Sequence, residues 1–188
     1  METTYSPTET DVLTAWQERS AAFTSAVEAV HDWQAPSPCE GWSARDVLDH
    51  VLGTERDFLA AQALLSADAE AAPGDPVALW ATHQREVTAL LGEASIAQRP
   101  YEGAFGPTTV GALMVEFYGF DLVVHRWDLD RSQGREARLS AHELAIIEAA
   151  VAGWGEHAYA PGILARPVPV PEGADRQARV LALTGRRN

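Results

Sequence analysis

The segment FDLVVHRWDLD combines a carboxylate and an imidazole at helical spacing, in Asp121 and His125. Residues four apart lie on the same side of a helix, and the apolar residues Phe117 and Val124 turn that side towards a core. An ionised carboxylate facing a core costs several kcal/mol unless it is paired or bound to a cation. Such a pair can bind one metal ion from adjacent turns, but the spacing alone is explained more simply by a hydrogen-bonded Asp–His pair.

A third residue, His50, changes the interpretation of this pair. His50 lies about seven residues after the predicted start of its helix, which is ~10 Å along the axis. His125 lies about seven residues before the predicted end of its own helix, so antiparallel helices would place both histidines at one height. A lone histidine on the flank of a buried face is usually structural. Together, the three residues predict a divalent metal site formed by His50, Asp121 and His125.

The same comparison of heights predicts the surroundings of the metal. The expected pocket lining is Thr24, Trp80, His83, Gln84 and Tyr118. Asp128 lies on the same side of its helix as Asp121 and His125, where a carboxylate either orients a metal-binding histidine or pairs with an arginine. The single cysteine, Cys39, is expected to pack structurally before a helix, although a thiol near a helix N-terminus has a redox role as its alternative.

Apolar periodicity and capping residues predict five helices that position these side chains. Their expected ranges are 9–30, 43–66, 75–91, 108–132 and 140–159. Three of the starts carry typical signals, namely the capping boxes Ser43–Asp46 and Ser140–Glu143 and the pair Asp75–Pro76. Gly134 is placed to end the fourth helix with a positive φ.

The arrangement of these segments indicates the fold class. No sustained alternation of apolar and polar residues predicts a sheet. Four long helices with connections of ~10 residues indicate an all-α four-helix bundle with at least one crossover. The last residues, 161–188, alternate proline with valine and then become amphipathic, which predicts an extended strap and an additional short helix. We expect one domain, residues 1–188, with its core at about 9–160.

Composition excludes several classes of function. The net charge is −13 and all 14 basic residues are arginine, in no continuous stripe, so nucleic-acid binding is not expected. No segment approaches the ~20 apolar residues of a membrane span. The polar, acidic N-terminus lacks the pattern of a secretory signal. We therefore expect a cytoplasmic protein that acts on a small molecule, with apolar helix faces that leave a homodimer open.

Two motifs resemble those of a known family. PCEGWSARDVLDHVLGTERDFL resembles the opening motif of the DinB-like superfamily, and more closely that of the N-terminal domain of mycothiol-dependent maleylpyruvate isomerase. FDLVVHRWDLDRSQG is similar to the second signature of that group, an acid followed four residues later by histidine and then by Trp-Asp-Leu. The resemblance covers about residues 9–160, and the lysine-free composition suits an actinobacterial source.

The resemblance implies an up-down-down-up DinB-like bundle and three metal ligands, carried here by His50, Asp121 and His125. The ion it implies is zinc, or else nickel or another divalent metal. Two departures matter: the isomerase has glutamate where this chain has Asp121, and it has a separate C-terminal domain that helps to bind the thiol. The segment after Gly162 is too short for that domain.

The family chemistry implies an enzyme in which mycothiol or another low-molecular-weight thiol adds to a small electrophilic substrate, with isomerisation or S-transfer as the outcome. Three protein ligands leave an open metal position, which is typical of catalytic sites. One alternative is a non-catalytic metal-binding or stress-response protein that uses the metal to hold a ligand. Another is a structural bundle whose motif is inherited and empty.

Overall fold

Most of the chain is helical. The computed structural model describes residues 9–65, 74–104 and 106–188. The helices are α1 (Glu9–Glu28), α2 (Ala44–Ala61), α3 (Pro76–Leu91), α4 (Ala94–Ala97), α5 (Val110–Leu113), α6 (Gly119–Ser132), α7 (Ala141–Trp154) and α8 (Arg176–Leu183). A π turn, Met114–Tyr118, joins α5 to α6, and a 3₁₀ turn, Gly155–Tyr159, follows α7. No described helix is both long and apolar enough to cross a membrane.

Helix α6 lies between two apolar cores. Helices α1 and α2 each pack against both α3 and α6, and these four form the bundle. Leu122 and Leu129 of α6 belong to the core inside this bundle. On the other side of α6, Phe120 and Trp127 join a second core with α7 and α8. The prediction of an all-α bundle with an additional C-terminal helix is confirmed.

The predicted helix starts are present. The Ser43 hydroxyl accepts a hydrogen bond from the backbone N–H of Asp46, whose carboxylate accepts one from the backbone N–H of Ser43. Ser140 begins α7 with a second capping box, and the Asp75 carboxylate caps α3. Gly134 has a φ of +69° just after α6, a conformation that favours glycine. These local signals fix where α2 begins and where α6 ends, and therefore the heights of His50 and His125.

The expectation that the chain has no sheet is wrong in one connection. Strands β1 (Pro100–Gly103) and β2 (Gly106–Thr109) form an antiparallel hairpin, with Pro100 opposite Thr109 and Gly103 opposite Gly106. Each strand has only four residues and contains proline or glycine, so it shows none of the alternation that identifies a strand in a sequence.

Three predicted helix bounds also change. The helix expected over 108–132 begins after Thr109 but is interrupted by the π turn, where the N–H of Gly119 donates to the carbonyl of Met114. The helix expected over 140–159 is α-helical only to Trp154, and a 3₁₀ turn follows. Helix α2 ends at Ala61, whereas the predicted end near Ser66 lies outside the described residues.

Two helical glycines provide a test of this packing. A Cβ at Gly111 would lie 2.8 Å from the carbonyl oxygen of Ala97 and 2.9 Å from Cγ1 of Val12, whereas a Cβ at Gly53 would meet no atom within 4 Å. Gly111→Ala should therefore destabilise the protein by about 1–3 kcal/mol through overpacking. Gly53→Ala should stabilise it by about 0.5–1 kcal/mol through helix propensity. Urea unfolding at neutral pH measures both changes, and effects of the same sign would contradict this packing.

Candidate metal centre

Helices α2 and α6 bring the three predicted ligands together. Nε2 of His50 lies 3.2 Å from Oδ2 of Asp121, and Nε2 of His125 lies 3.4 Å from Oδ1 of the same carboxylate. One ligand atom from each of the three residues lies within 4.8 Å of the others. The imidazole rings of His50 and His125 are 5.1 Å apart and nearly perpendicular, so both nitrogens face the carboxylate.

The chemistry of this donor set fits a divalent metal ion. Two imidazole nitrogens and one carboxylate oxygen form the three-ligand set of catalytic zinc sites, in which a fourth position stays open. The side chains of His50 and Asp121 are 29% and 24% exposed, so an incoming ligand has access to them. A second group of donors, Cys39, His125 and Asp128, also converges, but it shares His125 with the first. We take the first set as the candidate metal centre because the oxygens of Asp128 are already engaged.

Asp128 holds His125 in place through Nδ1, the ring nitrogen that does not face Asp121. Its carboxylate is fully buried and its Oδ2 lies 2.8 Å from Nδ1 of His125. The guanidinium of Arg186 donates to both carboxylate oxygens, at 2.8 Å from Nε to Oδ1 and 2.6 Å from Nη2 to Oδ2. The thiol of Cys39 donates to Oδ2 over 3.4 Å. Asp128 thus does both things expected of it: it orients a histidine and pairs with an arginine.

The charges of the site stabilise one another. Burial opposes ionisation of Asp121, but His125 and His50 outweigh it and hold the pKa of this carboxyl well below its usual range. Burial also disfavours a charged His125, yet Asp121 and Asp128 raise the pKa of this imidazole well above its usual value. Against the effect of burial, Arg186 and His125 lower the pKa of Asp128 to about 2. The two carboxylates therefore favour a positive charge on His125.

The candidate centre opens into a cavity of about 910 Å³. Its walls come from the loop before α2 and from two tail segments, residues 162–165 and 184–187. Trp42, in that loop, lies against both histidines, with ring centroids 5.0 Å from His50 and 6.2 Å from His125. The cavity is therefore mixed in character, with an indole and apolar tail residues facing the polar centre.

The predicted pocket lining does not border this cavity. Trp80 and Thr24 are joined by a 2.7 Å hydrogen bond from the indole to the hydroxyl, and Trp80 is fully buried. Gln84 donates to Thr88 and to Ser20 within the same region. These side chains lie between α1 and α3, inside the bundle. The cavity is lined instead by residues of the tail and of the loop before α2, so the comparison of heights did not identify its walls.

The last two predicted pocket residues are also inside the bundle. His83 is fully buried and its Nε2 lies 2.7 Å from Oε2 of Glu55, which is buried as well. Tyr118 packs on Phe58, with ring centroids 5.3 Å apart, and burial raises the pKa of its hydroxyl. Neither residue lines the cavity: His83 is an interior residue, and Tyr118 is partly buried against the core.

Two residues of the site region were missed in the sequence. Burial raises the pKa of Glu55 despite the opposing effect of His83, and an acid between the buried residues Leu52 and Phe58 was the available signal. Arg186 is the second missed residue. No spacing pattern connects it to Asp128, which lies 58 residues away.

Together the fold and the site define an all-α DinB-like bundle with a candidate metal centre between α2 and α6. The family model of the mycothiol maleylpyruvate isomerase N-terminal domain matches residues 13–130, and the chain belongs to this family. The resemblance seen in the two motifs is thereby confirmed. No curated protein and no solved structure matches the chain.

The pairing of Asp128 makes a prediction about pH. The pKa of Asp128 is lower in the folded protein than in the unfolded chain, so the carboxylate adds stability above about pH 4, and this contribution of roughly 2 kcal/mol is lost as the pH falls towards 2. Asp128→Asn also leaves the Arg186 charge buried and unpaired, which should cost about 3–5 kcal/mol at pH 7. The difference in unfolding free energy between wild type and variant should therefore narrow on acidification.

Urea unfolding of both proteins at pH 7, 5 and 3 measures this difference. The control is Arg186→Met in the Asp128→Asn background, which removes the unpaired cation and should restore part of the stability. A difference that stays constant with pH would show that Asp128 is not held as a carboxylate by these partners.

Proposed function

We propose that this protein is a divalent-metal-dependent enzyme that uses a low-molecular-weight thiol to act on a small electrophilic substrate. The observation that carries the proposal is the convergence of His50, Asp121 and His125 at an open cavity. Zinc is the metal that this donor set favours, with nickel as the second choice. Membership of a family named for mycothiol and for an isomerase supports the thiol and the reaction class.

Each residue of the candidate centre would have its own role. His50, Asp121 and His125 would hold the ion, which when bound lowers the pKa of a thiol or water and polarises a carbonyl group. Asp128 accepts the Nδ1–H of His125 and so leaves Nε2 free to face the centre. Arg186 keeps the Asp128 carboxylate ionised. No side chain of the protein needs to act as the nucleophile, because the thiol of the cofactor supplies the sulfur.

The size and character of the cavity suit two small molecules. Its volume of about 910 Å³ is at the upper end of the range for small-molecule sites. Trp42 offers an apolar wall beside the two histidines, which excludes water from one side of the centre. A thiol held beside an electrophilic double bond there would add across it: the S–H bond and the π bond break, a carbon–sulfur bond forms, and the proton ends on the neighbouring atom of the substrate. Later loss of the thiol would give isomerisation, and retention of the thiol would give S-transfer.

Metal content is the first test. The wild-type protein should purify or reconstitute with about one equivalent of zinc or nickel, because a three-ligand site holds one ion. His50→Ala and His125→Ala should each lose it, as measured by elemental analysis. The matched control is His31→Ala, an exposed histidine in the loop after α1, which should keep the metal. If the wild type takes up no metal and its melting temperature does not change with chelator, the protein is a structural bundle without a metal site.

Thiol binding is the second test. The cobalt-substituted protein should develop thiolate-to-cobalt charge-transfer absorption when mycothiol is added, since a metal-bound thiol loses its proton near neutral pH. The same titration of Cys39→Ser excludes the protein's own thiol as the source of the band. Metal binding without any thiol band, and without turnover of electrophiles such as maleylpyruvate, would favour a non-catalytic metal-binding protein of the same family.

A further inference from the structure

The π turn lies directly before the metal-binding part of α6. The N–H of Gly119 donates to the carbonyl of Met114, five residues back, instead of to Val115, four residues back. One extra residue is thereby accommodated in the helix. Such π turns are rare and are found frequently at functional sites.

The extra residue decides which side chain faces the core. In an uninterrupted α-helix, two turns after Met114 would bring Asp121 to the same face, since seven residues make about two turns. In the structure Leu122 takes that place: it is fully buried in the same apolar core as Met114. Asp121 is turned to the flank, where it is 24% exposed and faces His50.

The packing of Phe117 agrees with this rotation. Phe117 and Asp121 are four residues apart and would share a face in a regular α-helix. Phe117 instead packs against Trp154 of α7, with ring centroids 5.4 Å apart, while Asp121 faces α2. Because of the π turn, Phe117 packs against α7 whereas Asp121 faces the candidate metal centre.

A side chain from α1 contacts the π turn. The guanidinium of Arg19 donates a hydrogen bond to the carbonyl of Val115, the group that Gly119 would satisfy in a regular helix. Gly119 leaves room for this contact. A Cβ at position 119 would lie 2.8 Å from Cδ and 3.0 Å from Nη1 of Arg19, so a larger residue would push the guanidinium away.

We propose that Arg19 and Gly119 are positioning residues of the metal centre: they stabilise the π turn and so keep Asp121 turned towards His50 and His125. The inference rests on the proposed function, because it assigns a role in metal binding. Neither residue touches the candidate ligands. Their effect on the centre is transmitted through the rotation of α6.

Metal affinity tests this role. The dissociation constant for Zn²⁺ should be measured by competition with a chromogenic chelator for the wild type, Arg19→Met, Arg19→Lys and Gly119→Ala. Loss of the contact should weaken binding by about 10–100-fold, the usual effect of removing a group that orients a ligand. Arg19→Lys, which keeps a cationic donor, should recover part of the affinity. The d–d absorption of the cobalt-loaded variants should change with the affinity, because Asp121 is displaced.

The matched control is Gly111→Ala. Its methyl group would crowd Ala97 and Val12 from α5, before the π turn. It should lower stability without changing the dissociation constant for Zn²⁺. Arg19→Met with wild-type affinity would overturn the proposal, as would an equal loss in Gly111→Ala. If Arg19→Met does not fold, Gly119→Ala decides by the same criterion. If the wild type binds no zinc, the proposed function itself is wrong. If the wild type binds zinc and Arg19→Met binds it equally well, only the positioning role is wrong.

Discussion

A carboxylate placed where water cannot reach it is the constraint on which the rest of the site depends. Asp128 is fully buried, and a charge there is tolerated only with compensating partners. Arg186 supplies three of its hydrogen bonds, and His125 and the Cys39 thiol supply one each. The same contacts orient His125 and attach the tail to the bundle. One electrostatic requirement therefore fixes a candidate ligand and closes one side of the cavity.

This arrangement combines residues inside and outside the family match. The family match ends at residue 130, so it includes Asp128 but not Arg186. The candidate metal ligands thus lie in the matched region, whereas much of the cavity wall comes from residues 162–165 and 184–187. The candidate ligands and the tail that walls their cavity therefore come from different parts of the chain.

The sequence predicted the convergence of His50, Asp121 and His125 better than it predicted their surroundings, for physical reasons. Helical spacing relates Asp121 to His125, and caps fix the height of His50, because both depend on local structure. The predicted lining residues do not border the cavity, because helical periodicity does not show which side of a bundle the tail covers. The π turn was also missed, because it depends on a contact between Arg19 and a carbonyl 96 residues away.

The position of α6 between two cores also affects how the protein opens. Its Leu122 and Leu129 are held on one side, and its Phe120 and Trp127 on the other, so α6 cannot separate from one core without exposing it. Amide hydrogens in such an element exchange with solvent mainly through global unfolding. His125 is therefore carried by a stretch of backbone that is packed on both sides.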